Sequence, residues 1–560
     1  MPTPPAPDSP DPARDEVRID AAERAAEAFA PGEEPASPPG PGGSGRLARS
    51  TAFFSIATAA SRVAGLAREI VAASYFGVKG PMSAFTVAFQ VPNLIRSLFA
   101  DAALQPAFVP IFTEQLEKGN HKEAFRLASQ LLFLITLVLG AITALFVLLA
   151  PFVMPVFAPG LEGETRDLMI VLSQLLFPIL ILLGVSGLVV GVLNSYDRFG
   201  AFAISPLFWN LTIIAVLVAL APAFSGDDQI YAYAIGILAG TVVQLVIPAA
   251  DLRNTPFRFV RGIGRPWRNP AVRRVLLLML PVTISLGLIN FNLLVNSFFG
   301  SLVSDRGPAA IDKAFRIYML PQGIFSVAIS TVLFPTLARF AARGETENLR
   351  ATMANGMRQI SFVLLPAAAA ILVLSEPMIR LVYERGEFTA SQTDLVSVAL
   401  FWFAFSLPFN GLFLLLTRTF FSLQRPWIPT AISGANLVLT GLLALAFYGP
   451  FEIGGIVAAT AIATAVSVVA QCVVLRRELG GLELGRLADS ALRAGVAAAA
   501  LAGVSYVVWD LLDSALGRSL GAQTASLSAA LIAGGVVYLA LVRAFRVAEL
   551  DQIMRLLRRG

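Results

Sequence analysis

From about residue 49 to residue 545 the chain repeats one pattern, in which apolar stretches of twenty or more residues are separated by short polar connections. That pattern leaves little choice of fold. In hydrocarbon every backbone N–H and C=O must be satisfied within the spanning segment, so such text forms membrane-crossing helices rather than open sheet. About twenty residues at 1.5 Å each cross the ~30 Å of a bilayer core. We read about fourteen spans, at 49–75, 83–113, 126–154, 168–194, 201–223, 230–250, 273–300, 311–340, 355–382, 391–421, 428–448, 453–475, 488–511 and 522–545. Four are interrupted by Pro92, Pro178, Pro321 and Pro408. Charged residues make up 14% of the chain, where soluble domains carry about 25%. The expected class is an all-α polytopic membrane protein.

The connections give orientation and division. Alternate loops are rich in Arg and Lys: Lys118, Lys122 and Arg126, then the run from Arg253 to Arg274, then Arg339, Arg343 and Arg350, and the tail from Arg543 to Arg559. The opposite set is short or acidic, with Glu162, Glu164, Asp227, Asp228, Asp510 and Asp513. Positive charge stays on the cytoplasmic side, which places both termini there. The long basic connection follows six spans, as expected for a transporter of two repeated lobes. Span two and span eight echo each other, with QVPNLIRSLF against FRIYMLPQGIF and AFVPIFTEQLEKGN against VLFPTLARFAARGE. The predicted units are therefore a cytoplasmic tail over 1–46, an N-lobe over 47–252, a basic linker over 253–272, a C-lobe over 273–476, an appended helix pair over 487–545 and a tail over 546–560. The first tail is rich in Pro, Gly, Ala and acids, a composition that cannot offset ordering entropy and reads as disordered. It lacks the basic start and short apolar run of a signal peptide.

Charges inside the spans narrow the function. Arg62, Arg68 and Arg96 lie within the first two spans beside Glu69 and Asp101. Each arginine at membrane depth costs roughly 3 kcal/mol, so such residues face a bundle interior or a wet cavity. Either internal ion pairs join the helices, or positive charge remains for an anion. Arg316, five residues before Pro321, joins the set from span eight; it faces the same cavity or snorkels toward a loop. Arg forms bidentate, charge-assisted bonds and stays ionised when desolvated, which suits a pyrophosphate. Asn93 shares a face with Arg96 one turn earlier. Asn290, Asn292, Asn296 and Asn436 offer neutral oxygens, either for a monovalent cation or as helix-to-helix hydrogen bonds. One cysteine, Cys472, and one histidine, His121, exclude a disulfide framework and a His/Cys metal cluster. No GxxxxGK[ST] run is present for ATP.

The text SRVAGLAREIVAASYFG followed by AFQVPNLIRSLFADAALQPAFVPIF resembles the opening of the MurJ (MviN) lipid II flippase family, a branch of the multidrug/oligosaccharidyl-lipid/polysaccharide exporter superfamily. The likeness runs through LNSYDRFGAFAISPLFWN, FRIYMLPQGIFSVAISTVLFPTLAR, YERGEFTASQT and TRTFFSLQRPWIPT, from about Arg46 to Arg546. It implies fourteen helices, two lobes in a V, and export of an undecaprenyl-pyrophosphate-linked peptidoglycan precursor by alternating access. It also implies that Arg62, Arg68, Arg96 and Arg316 bind substrate, that Glu69 and Asp101 pair or gate, and that the last two helices shape a groove for the lipid tail. Ser83 departs from the pattern, because many members carry Asp there.

The expected protein is a transporter in the bacterial cytoplasmic membrane and not an enzyme, without nucleic-acid partners or a tightly bound cofactor. Membrane potential or a monovalent cation would drive it, and membrane lipids and cell-wall synthesis or division proteins are the expected partners. A flippase for another undecaprenyl-linked glycan is the nearest rival reading. A drug/cation antiporter would favour an acidic, aromatic pocket, whereas this chain's intramembrane charge is net positive.

Overall fold

The computed structural model describes residues 44–99, 104–260 and 264–550. Residues 1–43, Asp101 and the tail beyond 550 lie outside the described residues, as do the side chains of Arg96 and Asn290. The described residues contain no strand. The first half holds α1 (Ser44–Phe76), α2 (Gly80–Phe99), α3 (Leu104–Glu117), α4 (His121–Phe157), α5 (Gly163–Leu176), α6 (Ile179–Asn194), α7 (Gly200–Leu220) and α8 (Ile230–Leu252). The second holds α9 (Pro270–Val303), α10 (Gly307–Pro321), α11 (Val327–Ala342), α12 (Thr346–Tyr383), α13 (Ala390–Ser422) and α14 (Trp427–Glu478). A hairpin of α15 (Leu484–Leu516) and α16 (Leu520–Ala544) completes the chain.

Ten of the helical segments among the described residues are long and apolar enough to cross a bilayer. One of them, α14, covers two of the expected spans, which meet at a sharp kink where Glu452 (φ 50°), two residues after Pro450, leaves helical geometry. The helix α1, the pair α2–α3 and α9 occupy the remaining expected spans, so the fourteen segments are all accounted for. Phe152, Leu148 and Val332 are three-quarters exposed, which suits a surface bathed by lipid tails as apolar as leucine.

Prolines act where the sequence placed them, in different ways. Pro178 separates α5 from α6, while Pro92 and Pro408 stay inside continuous helices. After Pro321 the helix widens into a π turn over Gln322–Ser326 before α11 begins. Proline removes an N–H and pushes against the preceding turn, and π turns frequently mark functional positions.

Within the first half, α7 packs on α8 and α1, α2 on α5, and α6 on α8. In the second, α12, α13 and α14 pack in series, α10 lies on α13, and the α15–α16 hairpin rests on α12. The seam between them is made chiefly by α9, which packs on α14 and also on α2, α3 and α4, and by α10 against α2. The basic connection is not a free tether. Phe257 is buried with Phe112 and Leu127, the Val260 N–H donates to Ser129 Oγ (2.9 Å), and Asn269 Nδ2 donates to Gln130 Oε1 (2.6 Å).

Candidate functional site: a charged cavity on the seam

The site begins with Glu69, buried on α1. Its Oε1 accepts from Arg68 Nη2 at 2.5 Å, and its Oε2 accepts from Lys313 Nζ at 2.8 Å and lies 3.1 Å from Arg316 Nε. Arg316 also donates to Asp312 Oδ2 at 2.8 Å. One carboxylate of the first half thus binds two cations carried by α10 of the second. The set of Arg68, Lys313 and Arg316 against Glu69 and Asp312 leaves one positive charge over. The Lys313 side chain has no exposure, whereas that of Arg316 is 34% exposed. Lys313 therefore ties the halves together, and Arg316 is the cation a ligand can reach.

A cavity of about 390 Å³ opens beside this cluster, lined by Arg68, Arg316, Asn93, Trp209, Asn210 and Gln244 among others. The Arg68 guanidinium lies 4.7 Å from the centre of the Trp209 ring, a cation–π contact that holds its plane. The Trp209 Nε1–H donates in turn to Thr241 Oγ1 (3.3 Å). Arg68 Nε is buried and makes no hydrogen bond among the described residues, so the guanidinium keeps a donor in reserve. Gly65, one turn before Arg68, faces α7, where a Cβ would make an ordinary contact with Asn210 Nδ2 at 3.7 Å.

A second cavity of about 340 Å³ lies wholly in the second half, lined by Asn292, Asn296, Asn410, Asn436, Tyr318 and Thr460 among others. Its amides are joined by hydrogen bonds: Asn292 Nδ2 to Asn436 Oδ1 (3.3 Å), Asn436 Nδ2 to Ser467 Oγ (2.9 Å), Thr460 Oγ1 to Asn296 Oδ1 (3.1 Å) and Asn410 Nδ2 to the Tyr318 hydroxyl (2.7 Å). Among the described residues its lining carries no charged side chain.

One end of the seam is latched. Lys79 Nζ donates to Glu387 Oε2 (2.5 Å), the Val78 N–H to Gln392 Oε1 (3.0 Å), and the Glu387 N–H to the Ser74 carbonyl (2.9 Å). Gly386 (φ +61°) packs so tightly on that carbonyl that a side chain there would collide with it. The Lys79 hydrogen bond and charge hold the Glu387 carboxyl below the usual glutamate range.

The family model for the lipid II flippase MurJ matches residues 72–519. A probable lipid II flippase MurJ of Rhizobium meliloti is 33% identical over 516 residues, covering 90% of this chain and 95% of that protein. The lipid II flippase MurJ of Burkholderia cenocepacia is 28% identical over 389 residues, covering 69% and 75%. The chain belongs to the MurJ lipid II flippase family. In fold it resembles a solved lipid II flippase MurJ in an inward closed conformation, with a TM-score of 0.72 at 22% identity over 88% of this chain and 98% of that one. A multidrug resistance MATE family transporter of the MOP superfamily in an inward-facing conformation gives 0.63 at 15% identity over 75% of this chain and 94% of that one.

Within this MurJ-family chain three of the four expected arginines have described side chains, that of Arg96 lying outside the described residues. Arg68 and Arg316 share the cavity, whereas Arg62 is exposed and its Nη1 lies 3.8 Å from where a Cβ on Gly323 would be, beside the π turn. Helical arithmetic gave the face of each side chain, not which neighbour that face meets. Glu69 serves three cations, where the sequence suggested a single pairing. Ser83, at the position where relatives often carry Asp, is fully buried and accepts from the Ala309 N–H (3.2 Å), one of the free donors in the first turn of α10. A short hydroxyl thus caps a second-half helix from the first half. Of the asparagines, Asn292, Asn296 and Asn436 line one cavity. Sequence reasoning missed Lys313, although its three-residue spacing from Arg316 on one helix was a usable signal. It also missed Trp209, Asn210 and Gln244, for which no local signal exists.

Proposed function

We propose that this multi-pass membrane protein moves the lipid-linked peptidoglycan precursor lipid II from the inner to the outer leaflet of the bacterial cytoplasmic membrane. Membership of the MurJ family favours this cargo over other undecaprenyl-linked glycans and over drugs. The observation that carries the mechanism is the surplus positive charge of Arg68 and Arg316 on the wall of the seam cavity. The exposed face of Arg316, with the Arg68 guanidinium beside it, offsets the cost of bringing a diphosphate to mid-membrane, while the polyprenyl chain stays in lipid. The groove of α15 and α16 against α12 is the proposed path of that chain.

With both termini in the cytoplasm, the latched end faces outward. Opening it while the other end closes would expose the head group outside, by rocking of the two halves across α9 and α10. Two driving forces are proposed: a monovalent cation held among Asn292, Asn296 and Asn436, and the membrane potential, worth ~2.3 kcal/mol per charge per 100 mV for an exported anion. Cell-wall synthesis or division proteins are the proposed partners, and no chemical step on the substrate is assigned to the chain.

Arg68→Ala and Arg316→Ala should each abolish rescue of a flippase-depleted strain while membrane levels stay normal. Full rescue by both would overturn the reading.

A further inference from the structure

Of the three cations in the seam cluster, Lys313 alone is out of a cargo's reach. Its side chain has no exposure, and it takes no part in the cavity wall where Arg68 and Arg316 stand. It is nonetheless the closer of the two α10 cations to Glu69. The Oε2 atom accepts from Lys313 Nζ at 2.8 Å and lies 3.1 Å from Arg316 Nε. Tyr383 of α12 also packs on the lysine: its ring centre is 5.6 Å from Nζ, and its hydroxyl donates to the Lys313 carbonyl (3.5 Å).

The consequence falls on Arg316. A guanidinium carries five N–H donors in a planar fork. In Arg316 the Nε–H is engaged by Asp312 Oδ2 (2.8 Å), and the two terminal amino groups make no hydrogen bond among the described residues. The side chain is partly exposed on the cavity wall, so those two groups are the ones that can grip a phosphate bidentately. A carboxylate competes for the same fork, and Glu69 is within reach of it. Its two oxygens are occupied, Oε1 by Arg68 and Oε2 by Lys313. Charge counting gives the same answer. With Lys313, three cations face Glu69 and Asp312, and one positive charge is left over; without it, two cations meet two carboxylates and none is left.

Building on the diphosphate reading above, we propose that Lys313 is a positioning residue for the cargo. By holding Glu69 it keeps the Arg316 fork open toward the cavity, and it supplies the surplus charge that a diphosphate answers. It does both without touching the cargo itself.

The test uses the full chain in lipid nanodiscs and two lipids with the same polyprenyl chain, undecaprenyl diphosphate and uncharged undecaprenol. Lys313→Met removes the charge at similar volume and strands no carboxylate, because Glu69 keeps Arg68 and Arg316. It should weaken undecaprenyl diphosphate about tenfold or more, the scale of losing hydrogen bonds to a charged group. Undecaprenol should stay within about twofold. Adding Glu69→Gln removes the competing carboxylate and restores the wild-type net charge. The double variant should therefore regain affinity for the diphosphate to within about threefold of the wild type. A lysine that only ties helices together would leave the double variant as weak as the single one, and that result overturns the proposal. Lys313→Met within about twofold of the wild type on the diphosphate also overturns it, as does an equal loss for both lipids. Should Lys313→Met fold poorly, the double variant decides alone: diphosphate affinity as low as that of Arg316→Ala overturns the proposal. In each of these cases a large loss in Arg316→Ala leaves the diphosphate reading standing. Wild-type affinity of Arg316→Ala for undecaprenyl diphosphate overturns that reading and the proposal with it.

Discussion

The two cavities are of similar size, about 390 Å³ and 340 Å³, and of opposite chemistry. The seam cavity is walled by Arg68 and Arg316, with Glu69, Lys313 and Asp312 behind them. Among the described residues the second-half cavity is lined by hydrogen-bonded amides and hydroxyls interleaved with apolar side chains, and by no charged residue. The difference lies in the cost of holding each arrangement in a membrane. Neutral side chains can satisfy one another locally, and hydrogen bonds between transmembrane helices average only ~0.6 kcal/mol. Charges need a counter-charge within reach, and here it is drawn from the other half of the molecule. The charged cavity is therefore tied to the relative position of the halves, and the neutral one is not. In the alternating-access mechanism proposed above, one site has to sense which way the carrier faces, and the seam cavity is the one whose charges depend on both halves.

The sharpest way to break this contrast is to remove the shared counter-charge. Glu69→Gln leaves Lys313, wholly buried, without its carboxylate, and breaking a buried pair by deleting one partner costs about 3–5 kcal/mol. Thermal unfolding of the purified protein should show a large fall in midpoint, and membrane levels should drop. Glu69→Gln combined with Lys313→Met should recover part of the loss, because the wholly buried ammonium is no longer stranded, while Arg68 still lacks its carboxylate. A Glu69→Gln protein that unfolds at the wild-type temperature would mean that the ion cluster is not what holds the seam.

In the neutral cavity the expected effects are smaller and of a different kind. Asn436→Leu removes the bonds to Asn292 and Ser467, at a stability cost of roughly 1 kcal/mol for the two, each such bond averaging ~0.6 kcal/mol. If the cavity holds a monovalent cation, transport in proteoliposomes should be faster in one alkali-metal salt than in choline, and Asn436→Leu should remove that difference. A variant that loses a little stability but keeps the wild-type salt response would restrict Asn436 to packing.

The sequence carries the fold almost completely and the site only in part. Span lengths, proline interruptions and loop charges follow from the bilayer itself, which is why α4, α7, α8, α12 and α13 lie where the apolar text placed them. Arg68 and Glu69 were legible because a charge inside an apolar span needs an explanation. Their grouping was not. Nothing in SRVAGLAREI shows that Glu69 will face Lys313, 244 residues away, or that Arg62 will turn toward Gly323 instead. Trp209 and Asn210 look like ordinary apolar-helix residues until Pro206 and Ser61 are brought beside them. Periodicity reports a side chain's direction, and only packing reports its company. In α14, by contrast, two spans with a proline between them read as two helices, and helical geometry is indeed broken between them at Glu452.

The smallest effect belongs to the outer latch, which also separates charge from the rest of the seam. Glu387 lies outside the spans, and its carboxyl is held below its ordinary value of 4.5 by the Lys79 hydrogen bond and charge. A depressed carboxyl contributes stability in full above the unfolded value and loses it as pH falls through the folded one. The thermal midpoint of the wild type minus that of Glu387→Gln should therefore be constant from pH 7 to about pH 5 and shrink toward zero below it. The difference should be slight, because an exposed pair in high dielectric gains little. The other two latch contacts, Val78 N–H to Gln392 and Glu387 N–H to Ser74, have no group that ionises in this range, so they keep the end closed at every pH tested. A difference that instead changed between pH 6 and 8 would assign the closure to a titrating group other than Glu387, and the latch would then be charged in a way the contrast with the seam cavity does not allow.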